Sequence, residues 1–230
     1  MIRTVTLAIL FAFVAVAAIG AESISELKAK AESSSKAAAA APSDYVANWT
    51  ASKACQKYAG ELVNQEVSGW KETAKAAAKD AMKYGDIAIK LNEKGVEGWY
   101  WYGVSVGSYS DCVSILTALG EGLKGKTQKG FETSYSLDKS YDDYGPVLAL
   151  GRFWQVLPSI AGKDLKKAEQ LFNEYVDSLK ATPDTISKDV YFYFGELYKE
   201  KGKKEEAKAS FKKAADQGHK KAARALAEMK

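Results

Sequence analysis

Large apolar residues recur along this chain at helical spacing, and three times they enclose a glycine. Trp99, Tyr102, Gly103 and Val106 form one set, Val147, Leu150, Gly151 and Trp154 a second, Tyr191, Phe194, Gly195 and Tyr198 a third. Positions i, i+3, i+4 and i+7 share one face of a helix, and a glycine among them marks where a second helix must come close. After the third set, Ala207, Phe211 and Ala214 supply the small–large–small face of a packing partner. The pattern therefore predicts helix pairs. Ser43-Asp44 caps a first helix reaching about Asn64, and Trp70 to about Leu91 is its partner. The second pair runs from Val96 through Gly103 toward Leu119, then through Phe131, Ser134, Tyr135 and Leu137. The third is Tyr144 to about Leu157, ended by Pro158, and Asp164 to about Lys180. The fourth is Ser187–Lys201 and Lys204–Gln217, stopped by Gly218 and followed by a closing helix to about Met229.

These sets resemble the tetratricopeptide repeat, which reads Trp-x2-Leu-Gly-x2-Tyr and then Ala-x3-Phe-x2-Ala. The expected fold is all-α: a tetratricopeptide-like solenoid of about four helical hairpins plus a capping helix. The spacing departs from the usual repeat of about 34 residues. Gly103 and Gly151 are 48 residues apart, and Gly151 and Gly195 are 44 apart. Only the last copy keeps the standard 12 residues from Gly195 to Ala207; Gly151 to Ala168 takes 17. Insertions thus fall between Val106 and Thr127 and around Leu157–Lys163, and insertions in a solenoid gather on one face.

Gly95-Val96-Glu97-Gly98-Trp99-Tyr100-Trp101-Tyr102, Leu150-Gly151-Arg152-Phe153 with Leu157-Pro158, and Gly162-Lys163-Asp164-Leu165-Lys166-Lys167-Ala168 together carry a narrower likeness. They resemble the T component of tripartite ATP-independent periplasmic (TRAP) transporters, over about residues 45–217. The resemblance implies an all-helical periplasmic protein that associates with the transporter's substrate-binding subunit, with a homo-oligomer as a further expectation. Members of that family are usually lipoproteins; no cysteine near the cleavage region of this chain could accept a lipid.

The N-terminus reads as an export signal over residues 1–21. Met1-Ile2-Arg3-Thr4 supplies the positive start, Leu7–Ile19 the apolar run, and Ala18-Ile19-Gly20 small residues for cleavage. Residues 22–43 form a low-complexity leader of alanine, lysine and serine, expected outside the core, with the repeat domain at 44–230. A soluble periplasmic location follows from this reading. Lys and Arg number 33 against 29 Asp and Glu, so charge does not call for nucleic acid. Lysines after Tyr198 alternate with glutamates as on a solvated helix face. Export permits a disulfide between Cys55 and Cys112, the favoured reading, whose long loop would contribute about 4 kcal/mol. Two buried thiols are the alternative.

Signatures of catalysis are missing, and an enzyme is not expected. Gly120-Glu121-Gly122-Leu123-Lys124-Gly125-Lys126-Thr127 matches the phosphate-binding pattern GxxxxGK[ST]. That motif needs a strand before it, and a second strand ending in an acidic residue is not found; an inserted loop is the preferred reading. The one histidine, His219, reads as a surface or capping residue, and no metal or cofactor is expected. Asp142-Asp143 reads as solvated. Residues just after the first packing aromatic and just after the glycine are expected on the inner face or against a neighbouring helix. They give Tyr100 and Val104, then Leu148, Arg152 and Gln155, then Phe192, Glu196 and Lys199, with Trp101 beside them: a groove for a protein partner or a small apolar or carboxylate ligand. Arg152, one of three arginines against thirty lysines, either forks onto a carboxylate of the partner or pairs internally with Glu196.

Overall fold

Burying the apolar faces requires hairpins, and hairpins are what a computed structural model of the chain shows. It describes residues 22–65 and 68–229. Among these the helices are α1 (Ile24–Ala40), α2 (Tyr45–Gln65), α3 (Trp70–Leu91), α4 (Val96–Asp111), α5 (Ile115–Gly120) and α6 (Leu123–Asp138). Then follow α7 (Tyr141–Val156), α8 (Leu165–Ser178), α9 (Lys188–Glu200), α10 (Lys204–Asp216) and α11 (Lys220–Glu228). The described residues contain no strand. The hairpins are α2/α3, α4/α6, α7/α8 and α9/α10, stacked in chain order, with α11 against α10. This is the expected all-α helical-hairpin solenoid.

Each repeat glycine seats a phenylalanine of the partner helix. A Cβ on Gly103 would lie 2.8 Å from Phe131 Cδ1, and one on Gly151 would lie 2.7 Å from Phe172 Cε1. Gly195 is closer still to Phe211. These phenylalanines are buried, Phe172 and Phe211 almost completely. The opening hairpin uses another device. Ala74, Ala78, Ala81, Gly85 and Ala88 make a buried stripe of small residues on α3. A Cβ on Gly85 would stand 3.0 Å from both Ser52 Oγ and Tyr102 Cα, so α2 and α4 approach α3 from two sides. The Ser52 hydroxyl donates to the Ala81 carbonyl at 2.8 Å.

Several expectations need correction. The leader over residues 22–43 joins the packing. Ser23 and Glu26 form a capping box, and Leu27, Ala31 and Ala38 of α1 are buried against α2. Alanine-rich sequence is strongly helix-forming, and a shallow methyl face suffices where the neighbour is also small. Residues 1–21, read as the export signal, lie outside the described residues. No helix among the described residues is long and apolar enough to cross a membrane. Helix α4 stops at Asp111 instead of running to Leu119; Ser114 then caps the separate α5 by accepting from Thr117 N at 3.1 Å. Val113–Leu116 is therefore turn and helix.

Cys55 and Cys112 are free and buried, not bridged. Cys55 packs with Ala31 and Ala81, whereas Cys112 packs with Leu62 and Ala74. Leu62 lies two turns beyond Cys55 along α2, about 10 Å at the helical rise, which is too far for a disulfide. Burial raises both thiol pKa values.

The start of α7 is unusual. Asp142, Asp143 and Tyr144 have φ of 51°, 54° and 60°, three consecutive left-handed residues before right-handed helix resumes at Gly145-Pro146. Proline suits that first turn because its missing N–H would have no helical partner. Left-handed backbone costs roughly 1–2 kcal/mol per non-glycine residue, so the contacts around this turn must hold it.

The glycine seats carry a direct test. Gly195→Ala should lower stability by about 1–3 kcal/mol, the usual cost of overpacking a core. Gly107→Ala, on the same class of helix but with open space around its Cβ, should raise it by about 0.5–1 kcal/mol. Urea melts of the two variants would show the opposite signs; matching signs would refute the seat.

Candidate functional site

The nine inner-face residues divide into three groups. Tyr100 and Trp101 are 9% and 4% exposed, so they are packing residues rather than open groove walls. Their rings meet edge-on at 4.8 Å, and Tyr141 meets Tyr100 edge-on at 5.6 Å. Trp101 Nε1 donates to the Tyr141 hydroxyl at 2.9 Å. The Lys53 ammonium lies 4.8 Å from the Trp101 ring centroid and 3.4 Å from Asp142 Oδ1. A Cβ on Gly145 would be 2.5 Å from the Tyr100 hydroxyl. This aromatic joint holds the left-handed turn and locks α7 to α4. Burial raises the Tyr141 phenol to about 12, and Tyr100 is also raised, first by burial.

Arg152, Gln155 and Glu196 come together. Arg152 Nη1 donates to Glu196 Oε2 at 2.5 Å and to Gln155 Oε1 at 2.8 Å. Gln155 Nε2 donates to the Tyr193 carbonyl at 2.8 Å, and the guanidinium lies 4.4 Å from the Tyr193 ring centroid. Internal pairing is thus the state of Arg152. The ion pair is about one-third exposed, and pairs so placed contribute roughly 0–1 kcal/mol, so it is exchangeable. Asp111, at the end of α4, belongs to the same region. It is solvent-exposed, yet crowding by the surrounding protein raises its carboxyl pKa, against the opposing pull of Arg152 and Lys221. Asp111 thus feels charges from both α7 and α11.

The third group is dispersed. Val104 and Leu148 are half-buried against the main core. Phe192 stacks on His219 with ring centroids 4.3 Å apart, so the residues leading into α11 cover it. Lys199 is exposed and lines a shallow hollow with Gly202, Lys204, Glu228 and Met229.

Tyr193, Asp111 and Lys221 are functional-site neighbours that the sequence pattern does not single out. Tyr193 adjoins Phe192 in the repeat and could have been found by placing both residues before the packing Phe194. Asp111 feels Arg152 and Lys221 from 41 and 110 residues away in sequence, which leaves no local signal. The GxxxxGK[ST] segment folds as the end of α5, a left-handed Gly122 and the first turns of α6. Thr127 is buried, and its hydroxyl donates to the Leu123 carbonyl at 2.9 Å, so the segment is neither a loop nor a strand-to-helix phosphate cradle. Among the described residues, no three His, Cys, Asp or Glu side chains gather as a metal site.

No protein-family model and no curated protein matches the sequence. Solved structures do. TTC0263, a thermophilic TPR protein of Thermus thermophilus, has a TM-score of 0.62 at 15% identity over 90% of this chain and 91% of that one. A crystal structure of MamA gives a TM-score of 0.49 at 18% identity over 86% of this chain and 92% of that one. The first likeness establishes a tetratricopeptide-like fold.

His219 caps α11, its Nδ1 accepting from Ala222 N at 3.0 Å, with Asp189 3.4 Å from Nε2. Burial lowers its pKa from 6.5, followed by the opposing pull of Asp189 and then the push of Lys188. The folded state thus binds fewer protons than the unfolded chain. The stability His219 contributes is complete above 6.5 and is lost as pH falls through the lower folded value. Protonation of the accepting nitrogen would remove a cap worth about 1 kcal/mol, roughly 2–4 °C in Tm. His219→Asn keeps a capping acceptor without the proton. Thermal melts across this range should show a smaller acid-induced loss in the variant; an equal loss would refute the assignment.

Proposed function

We propose that this chain is an exported, non-catalytic helical-repeat protein that binds a partner protein along its inner face. The observation that carries the reading is the half-exposed pairing of Arg152 with Glu196 and Gln155 over the Tyr193 ring, which joins α7 to α9, with Asp111 of α4 close enough to act on the same ring. Tetratricopeptide-like stacks present such concave surfaces to proteins. A partner carboxylate would exchange with Glu196 on the Arg152 guanidinium, keeping that cation paired while tying the two chains together. The segments resembling the T component of TRAP transporters favour a periplasmic substrate-binding subunit as the partner. The same exchange could admit a small carboxylate ligand.

The burial of Tyr100, Trp101 and Gln155 favours a second reading, a ligand-free scaffold of the cell envelope that works through its outer faces.

Arg152→Ala with Glu196→Ala removes the pair without leaving either charge alone. Affinity for a periplasmic substrate-binding subunit should fall by about tenfold or more, as for loss of an interfacial arginine anchor. Titration by biolayer interferometry reads this. Unchanged affinity would place the contact outside the inner face and support the scaffold.

A further inference from the structure

In the second hairpin's insertion only Val113, Ala118 and Leu123 meet the core. Helix α5 has no buried residue, and Ile115, Leu116 and Leu119 all face outward, Leu116 being 78% exposed. The insertion in the third hairpin adds Val156 and Ile160, the latter 97% exposed. The two insertions meet: the Lys124 ammonium lies 3.8 Å from where a Cβ would stand on Gly162. Exposed apolar residues gathered this way mark an interaction surface.

Charge narrows what that surface fits. Lys124 and Lys126 follow the first insertion and Lys166 the second; all three are exposed and have no ion pair among the described residues. Within 113–126 and 156–167 there are five lysines and two acidic residues, Glu121 and Asp164. Both acids are engaged, Glu121 accepting from the Tyr109 hydroxyl and Asp164 capping α8. Pairing two copies through this patch would set lysines against lysines, which disfavours a symmetric dimer. The side chains also protrude rather than line a groove, a shape suited to shallow insertion among lipids.

We propose that α5 and the Val156–Ile160 turn form a peripheral docking surface for an anionic lipid bilayer, with Leu116 and Ile160 entering the interface and Lys124, Lys126 and Lys166 facing lipid phosphates. This surface is separate from the inner face and does not depend on its partner.

The chain from residue 22 onward, which retains the capping box and every described helix, tests it. Co-sedimentation with phosphatidylglycerol-containing vesicles should exceed that with pure phosphatidylcholine vesicles and weaken with salt. Leu116→Ser with Ile160→Ser should reduce binding by about tenfold or more at unchanged circular dichroism. Lys124→Glu with Lys126→Glu should abolish the preference for anionic lipid. No sedimentation, or equal sedimentation by the variants, would overturn the proposal. So would concentration-dependent self-association, read by light scattering and lost in the serine variant without vesicle binding by the parent; that result would assign the patch to a second copy.

Discussion

A phenylalanine ring lying on a glycine backbone sets the geometry of this protein. It recurs at Gly103–Phe131, Gly151–Phe172 and Gly195–Phe211, once in each of three successive hairpins. Glycine inside a helix costs roughly 1 kcal/mol against alanine, while burying a phenylalanine contributes about 1.5–3 kcal/mol, so each seat is favourable. The seat also fixes distance. With no Cβ in the way, the partner helix settles at one separation, and each hairpin offers its neighbour the same outer profile. The opening hairpin reaches close packing through the alanine stripe of α3, which admits neighbours on both sides because no large side chain holds either away.

Fixed registers bring distant residues together. Val104, Arg152 and Glu196 each follow a seat glycine, so they occupy equivalent places on successive helices. A basic residue at one such place and an acidic residue at the next form an ion pair across hairpins as a consequence of stacking. The inner face thus inherits its charge pattern from the repeat. Lys199, four residues beyond Gly195, escapes this order because α11 ends beside it and makes a separate hollow.

The repeat is legible because its signal is local: a helix face and its partner face lie within a few dozen residues. That reach gives the hairpins, the Pro158 stop and the Asp164 cap. Features set by tertiary register are not legible. Periodicity places Tyr100 on an inner face but cannot show the left-handed turn at Asp142–Tyr144 that brings Tyr141 over it. Two cysteines with a long loop between them suit a bridge, yet their positions within α2 and just past α4 place them in separate clusters. The leader reads as loose because alanine-rich composition describes both a loose segment and a helix with a shallow face; only a small-residue partner such as the Ala51–Cys55–Ala59 side of α2 decides between them.

Insertions can enlarge such a stack only where they spare the seats, which means at the turns between paired helices. Successive hairpins run in the same direction, so these turns emerge at one end of the stack. The α5 insertion and the Val156–Ile160 turn therefore become neighbours although Leu116 and Ile160 are 44 residues apart in sequence. Antiparallel packing of α1 on α2 brings the start of α1 to that same end, as Ile24 against Leu62 shows. Repeat geometry thereby separates the two surfaces proposed for this chain: a charged face built by register, and an apolar end built by insertion. Changes to either can leave the glycine seats intact, which is why an architecture of this kind can carry two interactions that vary independently.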